Sequence, residues 1–463
     1  MVKLFNAYFP ARTLLLAVSE ALLITLAMVA SICAWFGADS QLVLFYENGL
    51  LKVTLVSLVC IVCMHYYDLY ESLFLTSPRE VLVRLFQVLG TTCLLLAVVY
   101  YLYPVIQLGL YVFLTGIFLV GILLFAWRKF FFVLTRDSRL AERVLLVGYG
   151  PLAYSLASTI QNRPELGVRL VGFVGNLPET AAGLNGVPRL GRLHELSEVV
   201  HSERIGRILV TMSDRRGKLP VAELLQLKTH GVRVEDGSDF YERVTGKLPL
   251  ESLRISWLLF SPGFRVSPAL LLYKPISSAL AAGLLLLISL PVMALLALAI
   301  WLDSGSPILF RQQRVGKDGK VFTLYKFRSM LLGTGTGEKF QPAQENDERL
   351  TRVGRWLRRI RLDELPQLYN ILRGDMHFIG PRPFALEEEQ EWAKQIPFYS
   401  QRWSVRPGAT GWAQIQRGYC ATLEDNTEKL AYDLFYIKNM SVGLDLLIFF
   451  QTFKILLLGR GAR

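Results

Sequence analysis

Two adjacent carboxylates, Asp363 and Glu364, lie in a strongly basic part of the sequence. Residues 311–382 contain 15 Lys and Arg against 8 Asp and Glu, so this stretch carries +7 of the chain's net charge of +12. An ionised carboxylate beside arginines such as Arg358 and Arg382 can attack phosphorus, provided that a cation neutralises the diphosphate under attack. Mg²⁺ suits that role because it binds one or two carboxylates together with phosphate oxygens and water. Asp363 and Glu364 are therefore candidate catalytic residues and candidate Mg²⁺ ligands.

The sequence around this pair predicts how it is positioned. Thr351 is a suitable N-cap for the basic helix RVGRWLRRI, and Pro366 is tolerated only in the first turn of the helix that follows. Asp363 and Glu364 then lie at a helix N-terminus, where the helix dipole and free amides favour the ionised carboxylate. For this segment alone, the alternative is that Asp363 is an ordinary cap and Glu364 an ordinary first-turn residue.

A hairpin is predicted for residues 308–330, with its turn at Asp318 and Gly319. Alternation of side chains along its second strand places Lys326 and Arg328 on one face. The positive charge of this region could bind nucleic acid. A single carboxylate pair among arginines, in a chain rich in membrane-type segments, better suits a phosphorylated substrate at a bilayer surface. We therefore expect no nucleic-acid partner.

The composition points to a membrane protein, since 52% of the 463 residues are apolar, more than one soluble core of this size needs. Four apolar runs, each near the ~20 residues that cross ~30 Å of hydrocarbon, occupy residues 13–37, 49–67, 86–103 and 105–127. They predict a four-helix transmembrane bundle over residues 1–135, with a cleaved leader the less favoured explanation of the first run. Basic flanks place the N-terminus and everything after Trp127 in the cytoplasm. Glu20 and His65, inside the runs, are predicted to make interhelical contacts.

Residues 141–250 alternate short β-branched runs with helical ones, a pattern that predicts a Rossmann-like parallel α/β domain. Gly148, Gly150 and Ala153 form G-x-G-x-x-A directly after the first predicted strand, where helix amides could receive a pyrophosphate. A dinucleotide site also wants an acidic residue at the end of the second strand, where this chain has Asn176. The glycines could instead serve a tight turn, so ligand binding by this domain stays open.

A fifth apolar run, residues 275–301, is long enough to cross a bilayer but has basic residues on both flanks. Lys274 before it and the lysines and arginines from residue 311 onward belong on the cytoplasmic side, which opposes a simple span. Pro291 removes one amide donor from the run, and Ser289 is a candidate to satisfy the freed backbone. We therefore predict a re-entrant helix–break–helix hairpin within a monotopic α/β catalytic domain over residues 270–463.

From residue 274 to the end, the chain resembles the bacterial sugar transferases, which are polyprenyl-phosphate glycosyl-1-phosphate transferases with a monotopic catalytic domain. The matching motifs are QRVGKDGKVFTLYKFRSM (313–330), NDERLTRVGRWLRRIRLDELPQLYNILRGDM (346–376), IGPRP (379–383) and RPGATGWAQ (406–414). With four N-terminal helices and a CoA-binding-like Rossmann domain, the whole chain resembles the large, exopolysaccharide-type members. The resemblance implies transfer of a sugar 1-phosphate from a UDP-sugar to undecaprenyl phosphate, through an aspartyl intermediate on Asp363 and with release of UMP.

The resemblance also implies roles for other residues. Glu364 would help to position Mg²⁺ or to handle protons. The candidate phosphate- and substrate-binding residues are Arg358 and Arg382, Lys326 and Arg328 of the KFR motif, and Arg406 of RPGATGWAQ. Implied partners are a UDP-sugar, undecaprenyl phosphate and membrane lipid. The implied assembly is a homodimer, with its catalytic domain on the cytoplasmic face of the bacterial inner membrane.

The chain departs from the family pattern at three points. Arg361 precedes Leu-Asp-Glu where Ser or Thr is usual, which adds charge beside the nucleophile and could alter sugar preference. Only Lys274 remains of the usual Lys-Arg-x-x-Asp, and the kink reads Ser-Leu-Pro over residues 289–291. One rival hypothesis is a membrane-tethered nucleotide-binding sensor with an inactive transferase module, which the intact carboxylate pair disfavours. Another rival hypothesis is a nucleotide-sugar dehydratase, which is disfavoured because the Rossmann-like domain lacks the Tyr-x-x-x-Lys pair that such an enzyme needs.

Overall fold

The computed structural model describes residues 2–4, 7–9, 11–70, 78–136, 141–175, 184, 186–212, 215, 218–253, 258, 261, 263–264, 267–331, 349–417 and 422–457. Contacts divide the chain into two compact units. The first comprises Met1–Val2 and Tyr8–Phe240, and the second comprises Lys3–Ala7 and Tyr241–Arg463. Two short strands, β1 (Val2–Leu4) and β2 (Ala7–Phe9), lie near the N-terminus.

Five helices of the described chain are long and apolar enough to cross a membrane, judged by length and composition. The four in the first unit are α1 (Ala11–Phe36), α2 (Gly49–Tyr66), α3 (Pro78–Leu102) and α4 (Leu110–Arg136). The sequence prediction was wrong at two boundaries. Helix α3 begins at Pro78, before the predicted start at residue 86. Its first turn is polar and therefore does not belong to the apolar run on which the prediction depended. Helix α4 begins after residue 105 because Pro104–Ile106 forms a separate 3₁₀ turn.

Helices α1 to α4 share an apolar core in which Cys60 and Cys63 are buried. A buried ion pair crosses this core, with Arg128 Nε of α4 lying 2.6 Å from Glu20 Oε1 of α1. Arg128 also donates through Nη1 to the carbonyl of Leu69, at 2.9 Å. Glu20 therefore makes the interhelical contact that its place in an apolar run predicts.

The rest of the first unit is built on a parallel five-stranded sheet in the order β5-β4-β3-β6-β7. The strands are β3 (Glu142–Val147), β4 (Val168–Val174), β5 (Arg189–Gly191), β6 (Arg207–Val210) and β7 (Arg233–Asp236). The helices are α5 (Pro151–Asn162), α6 (Leu196–Ser202) and α7 (Val221–Thr229), and α8 (Gly237–Thr245) follows β7. The predicted Rossmann-like parallel sheet is confirmed. Strand β5 escaped prediction because three residues are too few to show a period.

Gly148 and Gly150 lie in the turn between β3 and α5, as their spacing predicts. Gly148 has a φ of 109°, and a Cβ at this position would lie 2.3 Å from Met212 Cγ. Only glycine fits so close an approach at a positive φ. Packing alone therefore accounts for Gly148, which is the alternative that the sequence left open. Asn176 lies outside the described residues.

The second unit contains a 37-residue helix, α9 (Pro268–Ser304), with Pro275 and Pro291 inside it. The helix is uninterrupted at Pro291, where the sequence predicts a break. The hydroxyl of Ser289 donates to the carbonyl of Leu286 at 3.3 Å. Pro291 removes the amide donor of the Leu287 carbonyl, so this bond does not replace the one that is lost, and the role of Ser289 at the kink stays a prediction.

After α9 comes the predicted antiparallel hairpin of β8 (Leu309–Val315) and β9 (Val321–Phe327). The helices that follow are α10 (Arg352–Arg359), α11 (Gln367–Arg373), α12 (Leu386–Gln395), α13 (Trp412–Gln416), α14 (Leu423–Lys438) and α15 (Val442–Leu457). Two short strands, β10 (His377–Ile379) and β11 (Gly408–Thr410), pair in parallel. Residues of α9 on both sides of Pro291 join apolar clusters with this framework: Ala282 packs with β9 and α11, and Ile300 packs with β9 and α10.

Both ends of α9 are bonded within the second unit. Near its start, Lys274 Nζ lies 3.0 Å from Asp445 Oδ2 of α15. At its end, the carbonyl of Ser304 accepts a hydrogen bond from Arg328 Nη2 at 2.6 Å. Other elements of the second unit therefore hold α9 both near its start and at its end.

Candidate active site

Asp363 and Glu364 lie in a 3₁₀ turn, Leu362–Glu364, between α10 and α11. Arg361 has a φ of 57° and turns the chain after α10, and Pro366 directly precedes α11. The prediction that the pair lies at a helix N-terminus is corrected by about one turn. Both residues belong to the 3₁₀ turn that precedes α11, so they lie before that helix and not inside its first turn.

Two cations hold Glu364. Its Oε1 lies 3.1 Å from Lys326 Nζ on β9 and 2.6 Å from Arg382 Nη2 in the loop after β10. Burial alone would raise the pKa of Glu364, but the charges of Arg382 and Lys326 outweigh burial and hold that pKa well below its usual range. Burial in turn lowers the pKa of Lys326, against the opposing charge of Glu364. Glu364 is therefore ionised at neutral pH.

Asp363 has a different environment although it is only 7% exposed. Within the described part of the chain, no hydrogen bond or ion pair engages its carboxylate. Burial raises the pKa of Asp363 against the opposing charge of Lys326, and Glu364 raises it further. The charges of Arg358 and Arg382 also act to lower it. A carboxylate with no bonded partner, in positive surroundings, can attack an electrophile that carries negative charge.

The cations reach the pair from three separate elements: Lys326 from β9, Arg358 from α10 and Arg382 from the loop after β10. Arg358 Nε donates to Ser329 Oγ at 2.8 Å, which fixes the guanidinium. Thr351 caps the start of α10, as predicted, by accepting a hydrogen bond from Gly354 N. The structure therefore brings together five of the predicted site residues, namely Lys326, Arg358, Asp363, Glu364 and Arg382.

Sequence reasoning missed Arg402, which supports the loop that carries Arg382. Arg402 Nη2 donates to the carbonyl of Arg382 at 2.8 Å and lies 3.0 Å from Asp433 Oδ2, while Nη1 lies 3.1 Å from Glu389 Oε1. Arg402, Glu389 and Asp433 are all buried. Burial raises the pKa of Asp433 to about 6, although Arg402 opposes the rise. No motif marks Arg402, because its two carboxylate partners lie 13 and 31 residues away in sequence.

Arg328 does not contact the carboxylate pair, so the structure does not group it with Lys326, and its substrate-binding role stays a prediction. Strand β9 ends at Phe327, so the alternation that grouped Arg328 with Lys326 no longer applies. The buried Arg328 guanidinium donates through Nη2 to the carbonyls of Ser304 at 2.6 Å and Gly305 at 2.7 Å. Its observed role is to cap the end of α9.

Arg406 is also absent from the contacts of the pair. It lies near His377, whose pKa burial lowers to about 3, with the charges of Lys274 and Arg406 adding to the effect. The remaining predicted residues serve other parts of the chain: Ser289 and Pro291 lie inside α9, and Gly148 and Gly150 belong to the first unit.

No group of three or more His, Cys, Asp or Glu side chains among the described residues is arranged to hold a metal ion. Mg²⁺ does not require such a cage, because it takes one or two carboxylates and completes its shell with water and phosphate. Both cations bond Glu364 through Oε1, so Oε2 and the Asp363 carboxylate provide the oxygen donors. The residues present therefore fit Mg²⁺.

The chain has the features of a multidomain membrane protein: apolar helices, a parallel-sheet domain and a basic region around an Asp-Glu pair. The family model described as "Bacterial sugar transferase" matches residues 270–459. The model described as "CoA-binding domain" matches residues 65–234.

Named relatives are similar over large parts of the chain. A protein of Aeromonas hydrophila, "UDP-N-acetylgalactosamine-undecaprenyl-phosphate N-acetylgalactosaminephosphotransferase", is 42% identical over 223 residues, which are 48% of this chain and 52% of that protein. A "UDP-glucose:undecaprenyl-phosphate glucose-1-phosphate transferase" of Klebsiella pneumoniae is 32% identical over 67% of each chain. One of the same name from Caulobacter vibrioides is 43% identical over 40% of this chain and 70% of that protein. The chain belongs to the bacterial sugar transferase family, and its matches span 52% to 66% of the first three curated relatives.

Proposed function

We propose that this protein transfers a sugar 1-phosphate from a UDP-sugar to undecaprenyl phosphate and so initiates polysaccharide assembly. The observation that carries the proposal is the unbonded Asp363 carboxylate beside Glu364, with Lys326, Arg358 and Arg382 around the pair. The names of the relatives, which describe undecaprenyl-phosphate sugar phosphotransferases, support the same reaction class.

In the proposed reaction, a carboxylate oxygen of Asp363 attacks the β-phosphorus of the UDP-sugar. The bond from that phosphorus to the bridging oxygen breaks, and UMP leaves with its electrons. An oxygen of undecaprenyl phosphate then attacks the aspartyl-phosphosugar, which forms the lipid-linked sugar diphosphate and restores Asp363. Arg358 and Arg382 attract the phosphate oxygens, where a fixed guanidinium loses little entropy on binding. Glu364 stays ionised and holds Arg382 and Lys326 in place.

Asp363 and Glu364 would hold Mg²⁺ in the working enzyme, and the ion would neutralise the charge of the diphosphate. Mg²⁺ binding would also favour the ionised form of both carboxylates. Lys326 and Arg382 supply a fixed positive charge beside the pair with or without the ion.

The proposed setting is the inner membrane, with helices α1 to α4 as a transmembrane bundle and the other parts of the chain in the cytoplasm. The proposed domains are residues 1–135, 141–250 and 270–463, in a homodimer as the resemblance implies. Helix α9 enters the bilayer and returns to the same face. The bonds from Lys274 to Asp445 and from Arg328 to Ser304 support re-entry, because they hold both ends of α9 to one unit.

The test is to incubate the purified full chain, reconstituted in nanodiscs, with undecaprenyl phosphate and a panel of UDP-sugars. UMP should appear with one or a few of these sugars, in at most one equivalent per enzyme without undecaprenyl phosphate and in repeated turnover with it. The matched control is Asp363→Asn, which keeps the size of the side chain. Absence of UMP with every UDP-sugar tested would instead support a sensor or scaffold role.

A further inference from the structure

Helix α10 has an exposed basic face that the proposed reaction does not use. Arg352, Arg355 and Arg359 are all exposed. Within the described part of the chain, none of the three forms an ion pair with a carboxylate. At about 100° per residue, they lie within an arc of about 60° on the helix surface. Three like charges this close repel one another, so the face is suited to a negatively charged surface.

An exposed apolar edge lies directly beside the arginines. Trp356 is 54% exposed and Ile360 is 44% exposed. Ile360 directly follows α10, and when the helix is continued by one residue, it lies with Trp356 between the basic face and the side on which Leu357 packs against Ile300 of α9. Going around the helix, the surface therefore changes from contact with α9, through an exposed apolar edge, to positive charge. Arginine beside tryptophan, with an apolar edge, is typical of helices that lie in a membrane interface.

The start of α10 is fixed at the end of the apolar helix α9. The backbone amide of Val353 donates to Asp303 Oδ2 at 3.1 Å. Asp303 follows the exposed Trp301 by two residues, where tryptophan is typical of the boundary between hydrocarbon and headgroups. Helix α10 therefore begins at the depth at which α9 leaves the hydrocarbon.

We propose that α10 docks on the headgroups of anionic phospholipids, with Trp356 and Ile360 at the acyl boundary and the three arginines on lipid phosphates. Charge complementarity favours this occupant, since anionic leaflets attract basic segments close to their surface. Arg358 lies about 160° around the helix from Ile360, so it faces away from the lipid and remains beside Asp363. Docking would therefore hold the helix that supplies Arg358. The docking itself is independent of the proposed function, whereas its effect on sugar-phosphate transfer rests on that function.

The experiment places a fluorescent amino acid at Ile360 of the full chain in nanodiscs and measures quenching by lipids that carry a nitroxide at the headgroup. Nanodiscs of phosphatidylcholine alone are compared with nanodiscs in which about a third of the lipid is phosphatidylglycerol. Quenching should be at least about twofold stronger with the anionic lipid and should weaken in high salt. The triple variant Arg352→Gln, Arg355→Gln and Arg359→Gln should lose the difference between the two nanodiscs.

The matched control removes three exposed positive charges from the first unit, with Arg169→Gln, Arg189→Gln and Lys228→Gln, and should keep the difference. Equal quenching in both nanodiscs for the unmodified protein, or no quenching in either, would overturn the proposal and indicate that the basic face meets water or a protein. Quenching is measured without substrate. A failure of the docking proposal can therefore be distinguished from a failure of the proposed function, which would appear as an absence of UMP release. If the proposed function also holds, the triple variant should turn over more slowly only in anionic nanodiscs.

Discussion

Asp363 and Glu364 are neighbours in the chain, yet their surroundings move their pKa values in opposite directions. Glu364 bonds Lys326 and Arg382 through one oxygen, and its pKa lies well below the usual range because those charges outweigh burial. Asp363 has no such bond, and burial raises its pKa. When two adjacent acids are separated in this way, they can perform different tasks. Glu364 suits a permanent charge that orients cations, and Asp363 suits the group that forms and breaks a bond.

The first prediction follows from these separate tasks. Asp363→Asn should abolish UMP release, because an amide is not a nucleophile toward phosphorus. Glu364→Gln should lower kcat by about a hundredfold or more, because Lys326 and Arg382 lose the charge that orients them. Turnover is measured as UMP formed by purified variants. The assignment of the nucleophile would be contradicted if Asp363→Asn, in a preparation without contaminating enzyme, retained more than a few per cent of the activity.

The second prediction concerns pH. Attack requires ionised Asp363, so kcat/KM should rise with pH as this residue loses its proton; burial raises its pKa, and bound Mg²⁺ opposes that rise. Arg358 acts to lower that pKa. Arg358→Gln should therefore move the acid limb to higher pH as well as lowering the rate. An acid limb that stays at the same pH in Arg358→Gln would show that another group controls it.

The third prediction concerns the metal. EDTA should stop turnover and added Mg²⁺ should restore it, because the negative diphosphate otherwise repels the Asp363 carboxylate. Binding can also be followed without reaction, by calorimetric titration of the protein with Mg²⁺ in the presence of UMP, which has no sugar phosphate to transfer. Glu364→Gln should weaken this binding, whereas Glu388→Gln on α12 serves as the matched control. Full activity after exhaustive chelation would remove the cation from the mechanism.

The fourth prediction concerns the ion pair between Glu20 and Arg128, which is buried among α1 to α4. Glu20→Gln should destabilise these helices by about 3 kcal/mol, because it leaves the Arg128 charge buried without its counterion. The double variant Glu20→Leu with Arg128→Leu should recover much of the loss. Thermal unfolding in one detergent, followed for all variants, provides the comparison. Equal losses in the single and double variants would show that the carboxylate does not act through Arg128.

Local signals explain why much of the second unit could be predicted. The hairpin turn at Asp318 and Gly319 and the cap at Thr351 depend on neighbours within a few residues, and both occur where the sequence places them. The family resemblance implied a role for Lys326, which bonds Glu364, whereas alternation along β9 predicted only that Lys326 shares a face with Arg328. That alternation failed for Arg328, one residue beyond the end of the strand, where the backbone direction changes and a helix end provides the partners.

Long-range contacts explain what the sequence could not predict. Arg402 forms ion pairs with Glu389 on α12 and Asp433 on α14. The local sequence pattern does not predict that these three distant charges lie together beside the loop that carries Arg382. The same limit applies to α10 and the 3₁₀ turn after it. Residue type and spacing identified Asp363 and Glu364, but the left-handed conformation of Arg361, which moves them ahead of α11, depends on how the folded chain turns.

The last prediction concerns the direction of α9 in the membrane. If the helix is re-entrant, cysteines introduced at Ser267 and Gly305, on either side of it, should both be protected from an impermeant reagent in intact cells. Sharp bends in helices occur mainly at proline, so the proposed re-entry requires a bend at Pro291, which Pro291→Leu should remove. Each apolar residue then favours a full span by a few tenths of a kcal/mol, while the basic residues after the helix resist translocation. A mixed population, with partial labelling at Gly305 only, is the expected result. Pro275→Leu is the matched control and should leave both sites protected, because this proline lies close to the start of the helix beside Lys274. Labelling at Gly305 in the unmodified helix would contradict re-entry directly, since a fifth span places that residue outside.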